Sequence, residues 1–189
     1  MLAVLFFYCR LSACFMSLTL QSTDFELFDV PACFAQERGA LDARWKELQR
    51  EAHPDRFSAQ GGAAQRVAMQ WSVRINEAYQ RLKDPLKRAA YLCELHGAPI
   101  RAEENTAMSG PFLVQQMEWR EALDDAQNLQ QINFLVTEVE QALQAAMARC
   151  GELIDVARDF PAAAQQVRAL MFIERFADSV ADRQDQLGQ

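Results

Sequence analysis

Histidine occurs only twice in the 189 residues, glycine 7 times and proline 6 times, and none of the five cysteines stands in a C-x-x-C pair. Each shortage narrows the field. Two histidines with the scattered Cys9, Cys14, Cys33, Cys93 and Cys150 leave few candidate zinc ligands, so no metal and no cofactor is expected. An odd number of unpatterned cysteines suits reduced thiols in a cytoplasmic protein, and most read as ordinary semi-buried small residues. No glycine-rich phosphate loop, metal motif or activated nucleophile is present, which leaves an enzyme little to work with. Arg10 interrupts the apolar opening MLAVLFFYCRLSACF, so no run of about 18 uncharged residues exists to span a bilayer. No Lys or Arg precedes that stretch, as a secretory signal would require. Translation is expected to begin at Met16, where a polar stretch starts; a real apolar appendage is the alternative.

What is there points to helices. Half of the residues are apolar, enough for a buried core in one or two domains. Stretches rich in Ala, Leu, Gln, Glu and Arg follow one another, a composition that favours helix over strand. The net charge of −7 is uneven: residues 16–100 hold 11 basic and 11 acidic side chains, whereas those from 101 onward hold 7 and 15. An acidic second half argues against nucleic acid as a ligand, since phosphate binding needs a clustered basic surface.

Periodicity places the elements. Leu41, Trp45, Leu48 and Ala52 form one apolar stripe, ended by Pro54, because a residue before proline is pushed out of helical geometry. Residues 58–62 form a polar loop ending in two glycines. Val67, Trp71, Ile75, Ala78 and Leu82 form a second stripe. Asp84-Pro85 opens a third helix and Gly97, with Pro99 beyond it, closes it. Residues 97–110 lack periodicity and read as an inter-domain connection. Helices then follow from Pro111 to about Ala126, from about Leu129 to Arg158 with Gly151 as a weak point, and from Pro161 onward, which implies an antiparallel bundle. Neither a strand nor an internal repeat is evident.

The informative tripeptide is His53-Pro54-Asp55, set between two amphipathic helices expected at 38–52 and 63–83. Pro54 locks its own φ and extends His53, so the loop should project stiffly and lose little entropy on docking. Lys46 and Arg50, four residues apart, fall together on the solvent side, and Arg56 extends this basic strip. Around the tripeptide stand Phe25-Glu26-Leu27-Phe28-Asp29-Val30-Pro31, Ile75-Asn76-Glu77-Ala78-Tyr79 and Lys87-Arg88. This arrangement, from Asp24 to about Leu95, resembles the J domain of DnaJ-like proteins. Lysine is usual in the family where Arg56 stands here, and the charge is kept. The resemblance implies that the basic strip docks on an acidic surface of a chaperone's nucleotide-binding domain. It implies too that His53, Pro54 and Asp55 act near that chaperone's interdomain linker to accelerate ATP hydrolysis. Trp45, Trp71 and Tyr79 read as core of the helix pair.

General DnaJ proteins continue with a Gly/Phe-rich stretch and a cysteine-rich zinc module, and both are missing here. The chain continues instead through Arg88-Ala89-Ala90-Tyr91-Leu92, Leu95-His96-Gly97 and the run from Phe112 to Asp124, FLVQQMEWREALD. That run is similar to the C-terminal domain of the HscB family, the co-chaperones devoted to iron–sulfur assembly. The N-terminal pair of C-x-x-C motifs found in some members is absent, which matches the bacterial kind. On a helix, Leu113, Met117 and Glu121 stack with Val114 and Glu118 beside them, a mixed apolar and acidic face. Such a face by itself most often packs its apolar edge into a bundle. The resemblance implies that these five residues and Phe172 contact an IscU-type scaffold protein, with Val114 and Met117 replacing other aliphatic residues common there.

The expectation is therefore an all-α protein: an N-terminal extension at 1–20, a J domain at 21–96 formed by an antiparallel helix pair with its HPD loop, a linker at 97–110 and a C-terminal three-helix scaffold-binding domain at 111–189. It would act as a cytoplasmic adaptor and not an enzyme, recruiting an HscA/DnaK-type chaperone ATPase and handing it the IscU-type scaffold, with neither nucleic acid nor membrane as a partner. The alternatives are a J protein with a different client, an enzyme using His53 and Asp55, and a factor tethered to a membrane by residues 1–15.

Overall fold

All regular elements of the computed structural model, which describes residues 18–101 and 108–188, are helical. The expected start at Met16 and the apolar stretch before it lie outside the described residues, as do residues 102–107 of the expected linker. Packing divides the chain into two units between Asp84 and Pro85, ahead of the connection read from the sequence at 97–110.

In the first unit, α1 (Asp24–Phe28) begins with a reciprocal cap: the Thr23 amide donates to Glu26 Oε2 at 2.7 Å, and the Glu26 amide to Thr23 Oγ1 at 3.2 Å. Asp29 ends it in the left-handed region at φ 53°, with its own amide bonded to the Glu26 carbonyl and that of Val30 to Phe25. Phe25, Leu27 and Phe28 are buried. So is Asp24, fully, with Arg74 Nη2 at 2.7 Å from one carboxylate oxygen and Arg81 Nη1 at 3.1 Å from the other. Arg74 also donates to the carbonyls of Leu20 and Ser22, which ties the chain ahead of α1 to the long helix.

The helix pair is α2 (Arg38–Glu51) and α3 (Gly62–Lys83). Its antiparallel register is visible in the cross-links: Arg38 reaches the Lys83 carbonyl, Asp42 pairs with Tyr79, Trp45 with Asn76, and Gln49 with the Ser72 carbonyl. Leu41, Leu48, Ile75, Ala78 and Leu82 are buried as their spacing predicts. Val67 is not: it is 39% exposed, and Ala68 is fully buried in its place. The first turns of α3 pack against a 3₁₀ segment (Pro54–Gln60) as well as against α2, and that second neighbour selects a different edge of the helix. Trp45 and Trp71 are only half-buried; Tyr79 alone of the three expected core aromatics is inside.

The second unit contains α4 (Pro85–Leu95), α5 (Gly110–Asp125), α6 (Leu129–Gly151) and α7 (Phe160–Leu187). Pro85 is the first residue of α4. Gly97 closes it at φ 75°, its amide bonding to the Glu94 carbonyl and that of Ala98 to Cys93. Helices α5, α6 and α7 form the bundle read from the sequence, and α4 packs against α6 and α7 within the same unit. Gln184 of α7 bonds Asn133 of α6, and Arg183 bonds the Ala126 carbonyl just ahead of α6, so α6 and α7 run antiparallel. The predicted weak point at Gly151 is where α6 widens into a π-helical stretch (Glu152–Ala157), which ends at Arg158 with φ 54°. Asp159 then caps α7 through the Ala162 amide, with Pro161 in the first turn. Cys93 and Cys150 are fully buried in this core.

Candidate functional site

The turn joining α2 to α3 carries the tripeptide. His53 is extended at φ −63° and ψ 125°, as its position before Pro54 requires, and Pro54 opens the 3₁₀ segment. Local bonds hold the turn in shape: the Arg56 amide donates to the His53 carbonyl at 3.1 Å, and Ser58 Oγ to the Asp55 carbonyl at 2.9 Å. His53 Nδ1 accepts from the Asp55 amide at 3.3 Å, so a neutral ring carries its proton on Nε2. Asp55 Oδ2 lies 3.7 Å from the same Nδ1, an ion pair only when the ring is protonated. The His53 and Asp55 side chains are 57% and 88% exposed, so both present their polar atoms to solvent.

Lys46 and Arg50 are exposed one turn apart on α2. Arg56, also exposed, does more than add charge, because its Nη1 donates to the Arg50 carbonyl at 3.1 Å. The last carbonyls of a helix lack intrahelical partners and carry the negative end of its dipole, so a cation is well placed there. The basic strip and the tripeptide are thereby one connected structure.

Behind them Tyr79 holds the helices in register. Its hydroxyl donates to Asp42 Oδ1 at 2.7 Å, its ring stacks on Trp45 with centroids 4.8 Å apart, and Arg38 binds the same Asp42 oxygen at 2.8 Å. The Tyr79 hydroxyl, and after it Arg38, hold the Asp42 carboxyl below its ordinary range, while bonding to Asp42 pushes the Tyr79 hydroxyl up. None of the interhelical pairs of this set was singled out by spacing alone.

The second candidate face lies on α5 and α7. Leu113, Val114 and Met117 are 46%, 55% and 63% exposed, and Glu118 and Glu121 are exposed beside them. The apolar edge of this face therefore points to solvent and not into the bundle. Phe112, Gln116 and Trp119 take the inward positions: Trp119 stacks on Phe176 at 5.5 Å, and the Phe112 ring meets Phe172 edge-on at 6.0 Å. Phe172 is half-buried. The guanidinium of Arg120 lies over that ring, 5.6 Å from its centroid.

Among the described residues no group of three or more His, Cys, Asp or Glu side chains is placed to hold a metal ion. No described helix is long and apolar enough to cross a membrane.

An antiparallel helix pair with an exposed His-Pro-Asp turn, followed in the chain by a helical bundle, defines a J-domain co-chaperone. The comparisons with known proteins narrow this. Residues 108–181 match the family model described as the HSCB C-terminal oligomerisation domain. The co-chaperone protein HscB homolog of Burkholderia multivorans is 48% identical over 172 residues, covering 89% of this chain and 98% of that protein; the homolog from Burkholderia thailandensis is 46% identical over the same span. The chaperone HscB from Vibrio cholerae superimposes with a TM-score of 0.75 at 31% identity, over 88% of this chain and 99% of that one. Human co-chaperone HscB, at 24% identity, shares the fold with a TM-score of 0.84 over 96% and 91% of the two chains. The chain belongs to the HscB family of co-chaperones, and a chaperone is accordingly its partner.

Proposed function

We propose that the first unit recruits an HscA/DnaK-type chaperone and stimulates its ATPase through His53, Pro54 and Asp55, with Lys46, Arg50 and Arg56 guiding the docking. The second unit holds an IscU-type iron–sulfur scaffold on Leu113, Val114, Met117, Glu118, Glu121 and Phe172. The protein works as a cytoplasmic adaptor with no catalytic reaction of its own: it brings scaffold and ATPase together so that cluster transfer is coupled to hydrolysis. As a functional module the J domain is taken at 21–96 and the scaffold-binding domain at 111–189, whatever unit α4 packs in.

The observation that carries this reading is the exposed, locally bonded His53–Asp55 turn fastened to a basic helix face. A turn whose His and Asp side chains face solvent and bond only within the turn serves a partner and not the fold. The test is to add the purified protein to its organism's HscA-like ATPase, with and without scaffold. Hydrolysis should rise with the protein alone and rise further with scaffold. An ATPase rate unmoved by the protein would reject the reading, and a rise that scaffold does not alter would point to a different client.

A further inference from the structure

We infer that α3 carries a docking surface separate from the tripeptide, and that its occupant is a second copy of this chain, held in a two-fold antiparallel pairing of the two α3 helices.

The surface is an open apolar groove of about 510 Å³, lined by Leu20, Met69 and Val73 with Arg66 and Glu77. The three apolar side chains are 36%, 60% and 53% exposed. One wall is fixed before any partner arrives: Arg74, paired with the buried Asp24, donates from Nε to the Leu20 carbonyl at 3.1 Å. The groove lies on a different side of α3 from the one that meets α2 through Ser72, Asn76 and Tyr79. Apolar side chains gathered in a groove and rimmed by charge mark an interaction site.

The charges indicate the occupant. Arg66 and Glu77 are both exposed and stand on either side of Met69 and Val73 along the helix, three turns or about 16 Å apart. Among the described residues neither takes part in an ion pair or a side-chain hydrogen bond. A second α3, turned end for end about a two-fold axis through the apolar centre, brings Arg66 of each copy to Glu77 of the other while Met69 and Val73 pack across the axis. The surface is thus complementary to itself. A parallel pairing sets Arg66 against Arg66 and Glu77 against Glu77, so the charges also choose the direction. A single helix edge covers less than the roughly 1,200–2,000 Å² of a standard interface, so the pairing is weak and follows concentration.

Sedimentation equilibrium of the full chain between about 10 μM and about 1 mM tests this, and the mean mass should climb from the monomer toward the dimer value. Arg66→Glu alone and Glu77→Arg alone should each stay monomeric, because either change sets like charges together at both ends of the pair. Mixed in equal amounts, these two variants should associate as the parent does, since each supplies the charge that the other lacks. Met69→Glu should stay monomeric, and all of these exposed positions should leave the melting temperature unchanged. A parent chain that remains monomeric throughout overturns the inference; if Met69→Glu then lowers ATPase stimulation, the groove belongs to the chaperone. Self-association that survives in both charge variants and in Met69→Glu lies elsewhere in the chain, which also overturns it. Charge variants that fail to associate on mixing exclude the antiparallel two-fold pairing.

Discussion

The guanidinium of Arg56 donates to the backbone carbonyl of Arg50 across 3.1 Å, so a residue beyond the tripeptide is fastened to the last turn of the helix before it. The acceptor is backbone, and substituting Arg50 leaves the tether in place. Charge and tether can therefore be separated. Arg50→Glu with Lys46→Glu should weaken chaperone docking, more at low salt than at high, because exposed charges are screened over about 8 Å at physiological ionic strength. The maximal ATPase stimulation at saturating protein should stay near the parent value. Arg56→Met removes charge and tether together and should lower that maximum as well. Titrating the ATPase at two salt concentrations checks both, and equal behaviour of the two variants would show that the tether does not matter.

His53→Gln should abolish ATPase stimulation while the helical circular dichroism and melting curve stay those of the parent. The side chain is 57% exposed and its bonds are to its own turn, so the fold loses little without it. Normal stimulation by a folded His53→Gln protein would remove the tripeptide from the mechanism.

Changing Leu113, Met117 and Phe172 together to Ala should weaken scaffold binding at least a hundredfold, on the order of 3 kcal/mol, since a few apolar anchors carry most of an interface's energy. Stimulation without scaffold should persist. The three are not equivalent for stability. Leu113 and Met117 are exposed and should leave the melting temperature unchanged, whereas Phe172→Ala removes a ring held by Phe112 and Arg120 and should lower it. Calorimetry with the scaffold and melting curves of the single variants distinguish these outcomes.

Much of the bundle was legible because its punctuation is local. Pro85, Gly97, Gly151 and Pro161 mark helix boundaries or breaks through φ, a missing amide or a missing side chain, properties that belong to the residue itself. The exposed basic residues and the tripeptide were legible for the same reason. What spacing could not show depends on a neighbour distant in sequence. Val67 and Ala68 differ in burial because the 3₁₀ segment packs on α3, and nothing within α3 announces that. Nothing within the short helix at Asp24 announces that Arg74 and Arg81, far along the chain, pair with its carboxylate. Nothing within α5 announces that Arg120 lies over the ring of Phe172, which comes from another helix.

Asp24→Asn should destabilise the first unit by about 3 kcal/mol or more, because it leaves two arginines facing a buried site without their counter-charge. Equilibrium urea denaturation followed at the helix pair measures this. A change under about 0.5 kcal/mol, the range of an ordinary surface substitution, would mean that water replaces the carboxylate freely.

Burial pushes the Cys93 thiol up to about 11 and the Cys150 thiol up to about 12, from an ordinary 9.0. The folded unit keeps these protons at pH values where the unfolded chain releases them, so it loses stability as pH rises from 9 toward 11, and the two thiols contribute no pH dependence below that window. Urea midpoints at pH 8, 9 and 10 should hold between the first two values and decline between pH 9 and 10. The decline should flatten in Cys93→Ala/Cys150→Ala. Both native thiols should also resist alkylation at pH 8 until the unit is unfolded.

The pairing of Phe172 with Phe112 has a consequence for synthesis. Phe112 is made early in the second unit, and the whole of α6 and the first turns of α7 must follow before Phe172 exists. A nascent or truncated chain carrying α5 alone displays Leu113 and Met117 while Phe112 still lacks the Phe172 ring. The first unit, which ends at Asp84, precedes α5 in the chain and is made before it. Under the proposed division of roles, translation delivers the ATPase-stimulating part first and the scaffold-binding face only with the last helix, so a premature stop should yield a chain that stimulates without delivering.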